Sequence, residues 1–387
     1  MELSVSKELI TRNQVIKAAR LLAERHQSAE TSDIFSDDGT AQQVWLDANQ
    51  NIDEITTLLN EQRDGEDLKQ LSKWTADQYL KLLFLLDDRK DDGFVRLSPL
   101  VSCLEQCNIS LDIHQTPWAD TLSDLALFIV QLDSLDLSHL TAAAVNRYLE
   151  ITGDYAGLPL FAFYKVFHAV SAAGNLLKTD QSPETLKTCR RYIELASSYC
   201  QNKQPFIIVM QGLSGTGKTT VSKEISEHFN ALILRTDVER KRMYGLSALA
   251  NSTDAGIDIY TSAATEKTYA LIKQAAIKII ETHTSVVIDG ASLKQTERGM
   301  FLTLADELNV PALIVKCLAP REILKVRITK RQSSNADASE ATFDLIDQQQ
   351  QWEEPLTAEE KKKTIVLHTN DSDWEQQLKS AFASHLN

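Results

Sequence analysis

The stretch Phe206-Ile207-Ile208-Val209-Met210-Gln211-Gly212-Leu213-Ser214-Gly215-Thr216-Gly217-Lys218-Thr219-Thr220 decides how the chain is read. The apolar, β-branched run Phe206 to Met210 predicts a strand, and a helix is expected from Lys218 to Phe229. Between them, Gly212 to Thr219 fits the Walker A pattern G-x-x-x-x-G-K-[ST] in the setting that pattern needs, a strand before and a helix after. The glycines let backbone N–H groups turn inward toward phosphate oxygens, and the helix N-terminus adds partial positive charge at the same point. Gly212, Ser214, Gly215, Thr216, Gly217, Lys218, Thr219 and Thr220 are therefore the candidate ATP-binding residues. Lys218 is expected to reach the β- and γ-phosphates, and the Thr219 hydroxyl to ligate Mg²⁺. The competing reading, a Gly-rich turn that matches by chance, has the flanking strand and helix against it.

Working outward, strands and helices alternate. Strand-like runs fall at Ala231 to Leu234, Ser285 to Ile288, Ala312 to Cys317 and Thr364 to Leu367. Helices are expected to begin near Asp237 and to run from Ala263 to Thr282, Thr296 to Leu308, Arg321 to Arg331 and Trp374 to Phe382. This alternation predicts an α/β domain, a parallel sheet with helices on both faces. Upstream the periodicity is helical, over Ser6 to His26, Gln42 to Leu59, Asp67 to Leu86, Thr121 to Leu132, Leu140 to Thr152, Pro159 to Leu177 and Pro183 to Tyr199. A short extended piece is expected near Phe94 to Leu97. The polar connector Gln201 to Gln204 divides a mostly α-helical domain, 1–200, from a P-loop domain, 201–387.

The chain has 387 residues and a formal net charge of −14, which argues against nucleic acid or an anionic membrane as partner. Residues 1–200 hold 18 Lys and Arg against 30 Asp and Glu, while residues 201–387 hold 22 against 24. The near-neutral half is thus the one that must attract a polyanionic nucleotide, and the acidic helical half is a candidate surface for a protein partner. Five Cys, with Cys103 and Cys107 one turn apart and no second pair nearby, read as incidental thiols in a reducing compartment. The first twenty residues show no apolar core of signal-peptide length, and no stretch approaches eighteen uncharged apolar residues. A cytoplasmic location is expected.

Four further features bear on chemistry. Asp289 closes the third strand of the α/β half, where a carboxylate can hold the Mg²⁺ water shell; its alternative is a helix cap. Gly290 follows it in place of the acid that ATP-hydrolysing motors use to polarise water, which favours transfer to a hydroxyl over hydrolysis. Asp237, after the second of these strands, is the candidate base for an acceptor hydroxyl, and Arg240 the candidate fork for an anionic acceptor or a phosphate oxygen. The bland alternative is an N-cap followed by a solvated basic face. Arg321, Lys325, Arg327, Lys330 and Arg331 share one helix, with Arg327 and Arg331 four apart on one face. Followed by the polar stretch Ser333 to Ser339, they read as a lid whose guanidinium groups stabilise transition-state charge.

Gly212 to Thr219, Leu234 to Arg242 and Tyr260 to Tyr269 together resemble the AAA-type P-loop predicted kinase family, whose relatives include zeta-toxin-like, polynucleotide and gluconate-type kinases. The resemblance covers nearly all of residues 205–370. It implies a P-loop kinase fold, ATP, Mg²⁺ and a small hydroxyl-bearing acceptor, with the motif Asp at Asp237, its Arg at Arg240 and the lid Arg at Arg327 or Arg331. An ATP-binding regulatory or toxin-like protein is the alternative. Where the family often has Asp-Ala-Thr, this chain has Asp289-Gly290-Ala291-Ser292. In the first half, Trp118 to Ala126 and Tyr148 to Tyr155 resemble the C-terminal lobe of aminoglycoside phosphotransferase-like domains. That family's catalytic His-Gly-Asp-Leu-His is matched by Pro99-Leu100-Val101-Ser102-Cys103, with Val101 where the catalytic Asp would fall, and Asp112 is the candidate for its metal-binding Asp. The nucleotide-holding lobe is not recognised in the sequence. The resemblance therefore implies a half without catalysis of its own, a pseudo-enzyme.

Overall fold

The computed structural model describes residues 10–59, 65–111, 113–114, 116–252, 256–334 and 337–385. The chain divides into two compact units, Met1–Asn202 and Lys203–Asn387, and the division falls in the polar connector.

Unit one contains helices α1 (Arg12–Ser28), α2 (Ala41–Leu59), α3 (Gly65–Asp91), α4 (Leu100–Glu105), α5 (Thr121–Ser134), α6 (Thr141–Thr152), α7 (Pro159–Thr179) and α8 (Pro183–Tyr199). The extended piece is strand β1 (Val95–Leu97), which pairs antiparallel with β2 (Trp118–Asp120). Thr11 opens α1 with a capping box, its side chain accepting from the Gln14 amide while Gln14 bonds back to Thr11 N–H. Every residue of α5 from Thr121 to Leu132 is buried, as its continuous apolar run requires. Helix α7 is long and apolar enough to cross a bilayer by length and composition alone. Its Val166, Ala169, Val170, Ala173 and Leu177 are instead taken up in a helical core with Ile55, Leu71, Val130 and Ile193. Elsewhere in unit one, buried Arg89 makes paired bonds to Asp120 and Asp154 at 2.6–2.9 Å. Removing either carboxylate would leave a buried cation partly uncompensated.

Unit two is a five-stranded parallel sheet of β3 (Ile207–Gln211), β4 (Leu232–Arg235), β5 (Val286–Asp289), β6 (Ala312–Leu318) and β7 (Thr364–His368), in the order β4-β5-β3-β6-β7. Strands buried on both faces must be apolar throughout, which is why β3 and β5 read as unbroken apolar runs. Ile208 and Met210 of β3 pack with Val221 and Ile225 of α9 (Lys218–Phe229) on one side of the sheet. On that side also lie Leu378 and Phe382 of α16 (Trp374–His385). Ile207 and Val209 alternate to the opposite side, where α11 (Ser262–Glu281) and α12 (Gln295–Glu307) pack on β5, β3 and β6. The remaining helices are α10 (Thr236–Met243), α13 (Arg321–Ser334), α14 (Leu345–Trp352) and α15 (Ala358–Lys362). The sequence reading did not anticipate α14 or α15; both are short, and the first carries the Gln348 to Gln351 run.

The chain leaves central β3 toward one edge of the sheet and β6 toward the other. Their C-terminal ends therefore form a crevice between diverging connections, the place where open α/β sheets bind ligands.

Candidate functional site

The loop from Gly212 to Gly217 sits in that crevice and could hold its shape with few residues other than glycine. Gly212, Gly215 and Gly217 have φ of +144°, +83° and +91°. A Cβ on Gly212 would stand 2.5 Å from the Cys317 carbonyl oxygen of β6. The N–H of Ser214 is taken by Gln349 and that of Thr216 by the Leu213 carbonyl. The amides of Gly215, Gly217, Lys218 and Thr219 find no acceptor among the described residues. Four open amides at the start of the twelve-residue helix α9 form an anion-binding nest. Lys218 completes it. Its Nζ donates to the Gly212 and Leu213 carbonyls, both at 2.9 Å. Burial holds its pKa below the ordinary lysine value, while Asp289 and Asp237 pull the other way. A bound polyanion would pull the same way as these carboxylates.

Asp289, the last residue of β5, is buried beside this nest. Burial raises its pKa, against the pull of Arg235, Lys218 and the nearby Thr219 hydroxyl. Oδ2 makes no hydrogen bond, and Arg235 Nε approaches it only to 3.5 Å. A buried carboxylate oxygen with no donor, next to a threonine hydroxyl at the mouth of a phosphate nest, fits a hard divalent cation such as Mg²⁺. The helix-cap alternative for Asp289 does not hold, because α12 begins only at Gln295 with Lys294 before it. Gly290 has a steric reason: a Cβ there would lie 2.6 Å from Thr236 Cγ2. An acidic side chain at that position would have to displace the Thr236 side chain.

Helix α10 brings Asp237 and Arg240 to the same cleft. Asp237 is not the N-cap; Arg235 is, and its side chain makes no capping bond. Asp237 lies in the first turn, half-buried and facing the cleft, close enough to Lys218 and Asp289 to shift both. Nor is the basic run a solvated face. Lys241 is buried and pairs with Glu340 at 3.0 Å, and Arg240 is buried as well. Arg240 Nη1 donates to the Ile259 carbonyl at 3.1 Å and to Thr265 Oγ1 at 3.0 Å, with its guanidinium over the Tyr260 ring. Its Nε makes no hydrogen bond.

The basic helix α13 divides. Arg321, Lys325 and Lys330 are exposed, and Arg321 is tied to Asp347 at 2.6 Å. Only Arg327 and Arg331 turn to the cleft. Arg327 buttresses the phosphate loop from outside, donating to the Gly215 carbonyl at 3.2 Å and to Thr369 Oγ1 and O at 2.8 and 2.9 Å. Thr369 in turn donates to the Thr216 carbonyl at 2.6 Å. Arg331 stands near enough to Lys218 to lower its pKa and donates to the Ala341 carbonyl at 3.0 Å. Arg327 is thus placed to shape the loop, and Arg331 to meet charge beyond it.

The structure brings Lys218, Thr219, Asp237, Arg240, Asp289, Arg327 and Arg331, and Ser214, Gly215, Gly217 and Thr220 of the loop, to one cleft of about 1770 Å³. Pockets for one small ligand span roughly 300–1,000 Å³, so this cleft has room for a nucleotide and a second reactant. Three residues escaped the sequence reading. Gln349 bonds twice to Ser214, Thr369 bridges Arg327 to the loop, and Arg235 stands between Asp289 and Asp337, the latter at 3.0 Å. Gln349 lay in a glutamine run and Thr369 beyond the last strand, so neither carried a local signal.

Residues 207–356 match the family model described as an AAA domain. Among curated proteins, uncharacterized proteins of Mycobacterium bovis and Mycobacterium tuberculosis are each 24% identical over 242 residues, covering 61% of this chain and 48% of theirs. The chain spans about half the length of the curated relatives it matches. Similar solved structures include a gluconokinase from Sinorhizobium meliloti 1021, with 18% identity over 47% of this chain and 94% of that one, at a TM-score of 0.36. The APS kinase CysC of Mycobacterium tuberculosis, in complex with AMPPNP and APS, has 17% identity over 46% and 96%, at a TM-score of 0.33.

Proposed function

We propose that unit two is an ATP- and Mg²⁺-dependent phosphotransferase that moves the γ-phosphoryl group to a hydroxyl of a small acceptor. The observation that carries the reading is the nest of four open amides with Lys218, set beside a buried carboxylate oxygen that lacks a donor. In this reading the amides of Gly215 to Thr219 and the Lys218 ammonium hold the β- and γ-phosphates. Thr219 and Asp289 would hold Mg²⁺, which would supply neutralising charge for the phosphates. Asp237 takes the proton of the attacking hydroxyl, and Arg331 meets the negative charge of the transferring group. Arg240 carries a buried positive charge to the acceptor end, where Tyr260, Thr265 and Tyr269 also line the cleft. The position after Asp289, where an acidic side chain would have to displace that of Thr236, favours an acceptor hydroxyl over water.

Unit one is proposed to be a non-catalytic, aminoglycoside phosphotransferase-like half. Val101 stands on α4 where that family would place its catalytic Asp, and Asp112 lies outside the described residues.

The test is labelled transfer. The purified chain is incubated with γ-labelled ATP, Mg²⁺ and a metabolite extract, and the labelled product is identified. Lys218→Ala should abolish ATP turnover, and Asp237→Asn should lose transfer by about 10²–10³-fold while still binding ATP. Full transfer by Asp237→Asn would remove the base assignment. Failure of the parent chain to bind ATP would remove the whole reading.

A further inference from the structure

We infer that Gln349 is a positioning residue of the nucleotide site, making the shape of the phosphate loop depend on the helix that follows the lid. The inference rests on the ATP-binding reading above.

Gln349 lies 135 residues from Ser214 in sequence, yet its side chain is spent on that one residue. Oε1 accepts the Ser214 N–H at 2.8 Å, and Nε2 donates to Ser214 Oγ at 3.1 Å. Both residues are buried, at 7% and 8% exposure. Deprived of Gln349, the Ser214 N–H has no ready water to turn to, and the peptide is driven to rotate toward another acceptor. That rotation would be felt first at Gly215, the first of the four open amides. Gln349 thus fixes the entry half of the loop through Ser214.

A second, apolar connection ties the same helix to the lid. Ile346 of α14 is fully buried against Leu324 and Ile328 of α13, with the loop's own Leu213 packed on the same cluster. Gly215 lies against that helix too: an added Cβ would sit 3.2 Å from the Leu324 carbonyl and from Ile328 Cγ1. Helix α13 carries Arg327 and Arg331. The two arginines, Ile346 and Gln349 therefore belong to one packed piece that grips residues 213–215, and a shift of that piece is passed to the open amides.

The experiment uses the full chain. Dissociation constants for ATP and AMP are measured by calorimetry for the parent chain, Gln349→Met, Ser214→Ala and the double variant. Met keeps the volume of Gln and removes both hydrogen bonds. Gln349→Met should weaken ATP about tenfold, a lost buried hydrogen bond. AMP, which lacks the β- and γ-phosphates that the amides reach, should be weakened no more than twofold. Ser214→Ala keeps its N–H bonded to Gln349 and should lose less, about threefold. The double variant should be no worse than Gln349→Met alone, because both act through one contact. ATP binding by Gln349→Met as tight as the parent's overturns the inference, as does equal weakening of ATP and AMP or additive losses. If Gln349→Met does not fold, Ser214→Ala decides alone, and unchanged ATP affinity there overturns it. A parent chain that binds no ATP instead refutes the phosphotransferase reading on which this one stands.

Discussion

Replacing Gly212 by alanine adds one methyl group, and the structure says what that group must displace. The new Cβ would be 2.5 Å from the Cys317 carbonyl oxygen and 2.9 Å from Thr216 Oγ1, at a φ of +144°. An ordinary contact begins near 3.4 Å, so about 0.9 Å must be found. Strand β6 cannot give it, because it is paired on both sides, by β3 and β7. The loop must move instead. Backbone strain and overpacking together cost about 2–4 kcal/mol, which for a unit of this size lowers the melting temperature by roughly 5–15 °C. A loop displaced by about 1 Å should lose ATP affinity by about 10²-fold. Gly299 is the control, since it lies within α12 with nothing within 4 Å of its added Cβ. Gly299→Ala should stabilise by about 0.5–1 kcal/mol through helix propensity and leave ATP binding unchanged. The assay is paired, thermal melting of the nucleotide-free protein and calorimetric titration with ATP. If Gly212→Ala melts and binds like the parent chain, the loop is not clamped against β6 and the steric reasoning is wrong.

Three further outcomes are expected. Burial holds His168, which shares a 2.8 Å hydrogen bond with Ser123, down to about 4, so the unfolded chain binds a proton that the fold refuses. Stability is therefore intact above pH 6.5 and falls as pH drops toward 4, by up to about 3 kcal/mol from this group; a melting temperature for unit one that is flat from pH 7 to 5 would contradict this, and His168→Gln should flatten the slope. Burial raises the pKa of Asp289 and so works against its charged form, and Asp289→Asn should not lower the melting temperature of the nucleotide-free protein, while the strengthening of ATP binding by Mg²⁺ disappears. Retained Mg²⁺ dependence would take the metal away from Asp289. Residues 1–200 alone should show no heat of ATP binding, and measurable affinity there would end the non-catalytic reading of unit one.

The phosphate loop was legible in the sequence because its chemistry is local. Glycine, lysine and threonine at fixed spacing must make the same turn wherever a strand feeds a helix, and the apolar runs of β3 and β5 announce a sheet covered on both faces. The order of the strands, and with it the crevice at the ends of β3 and β6, follows from connection rules more than from any one residue. What sequence could not decide was which polar side chains are shared. The cap alternative for Asp237, the candidate base, stood until Arg235 was found at the cap position. Spacing put Arg327 and Arg331 on one face of α13, but only packing shows that this face meets the cleft while Arg321, Lys325 and Lys330 are exposed. Gln349, Thr369 and Arg235 reach partners 135, 153 and 102 residues away. A hydrogen bond between residues so far apart leaves no period or spacing in the chain, because it exists only once the strands and helices between them have packed. The sequence by itself determined that a phosphate nest would form; only the tertiary structure decided which side chains hold that nest in shape.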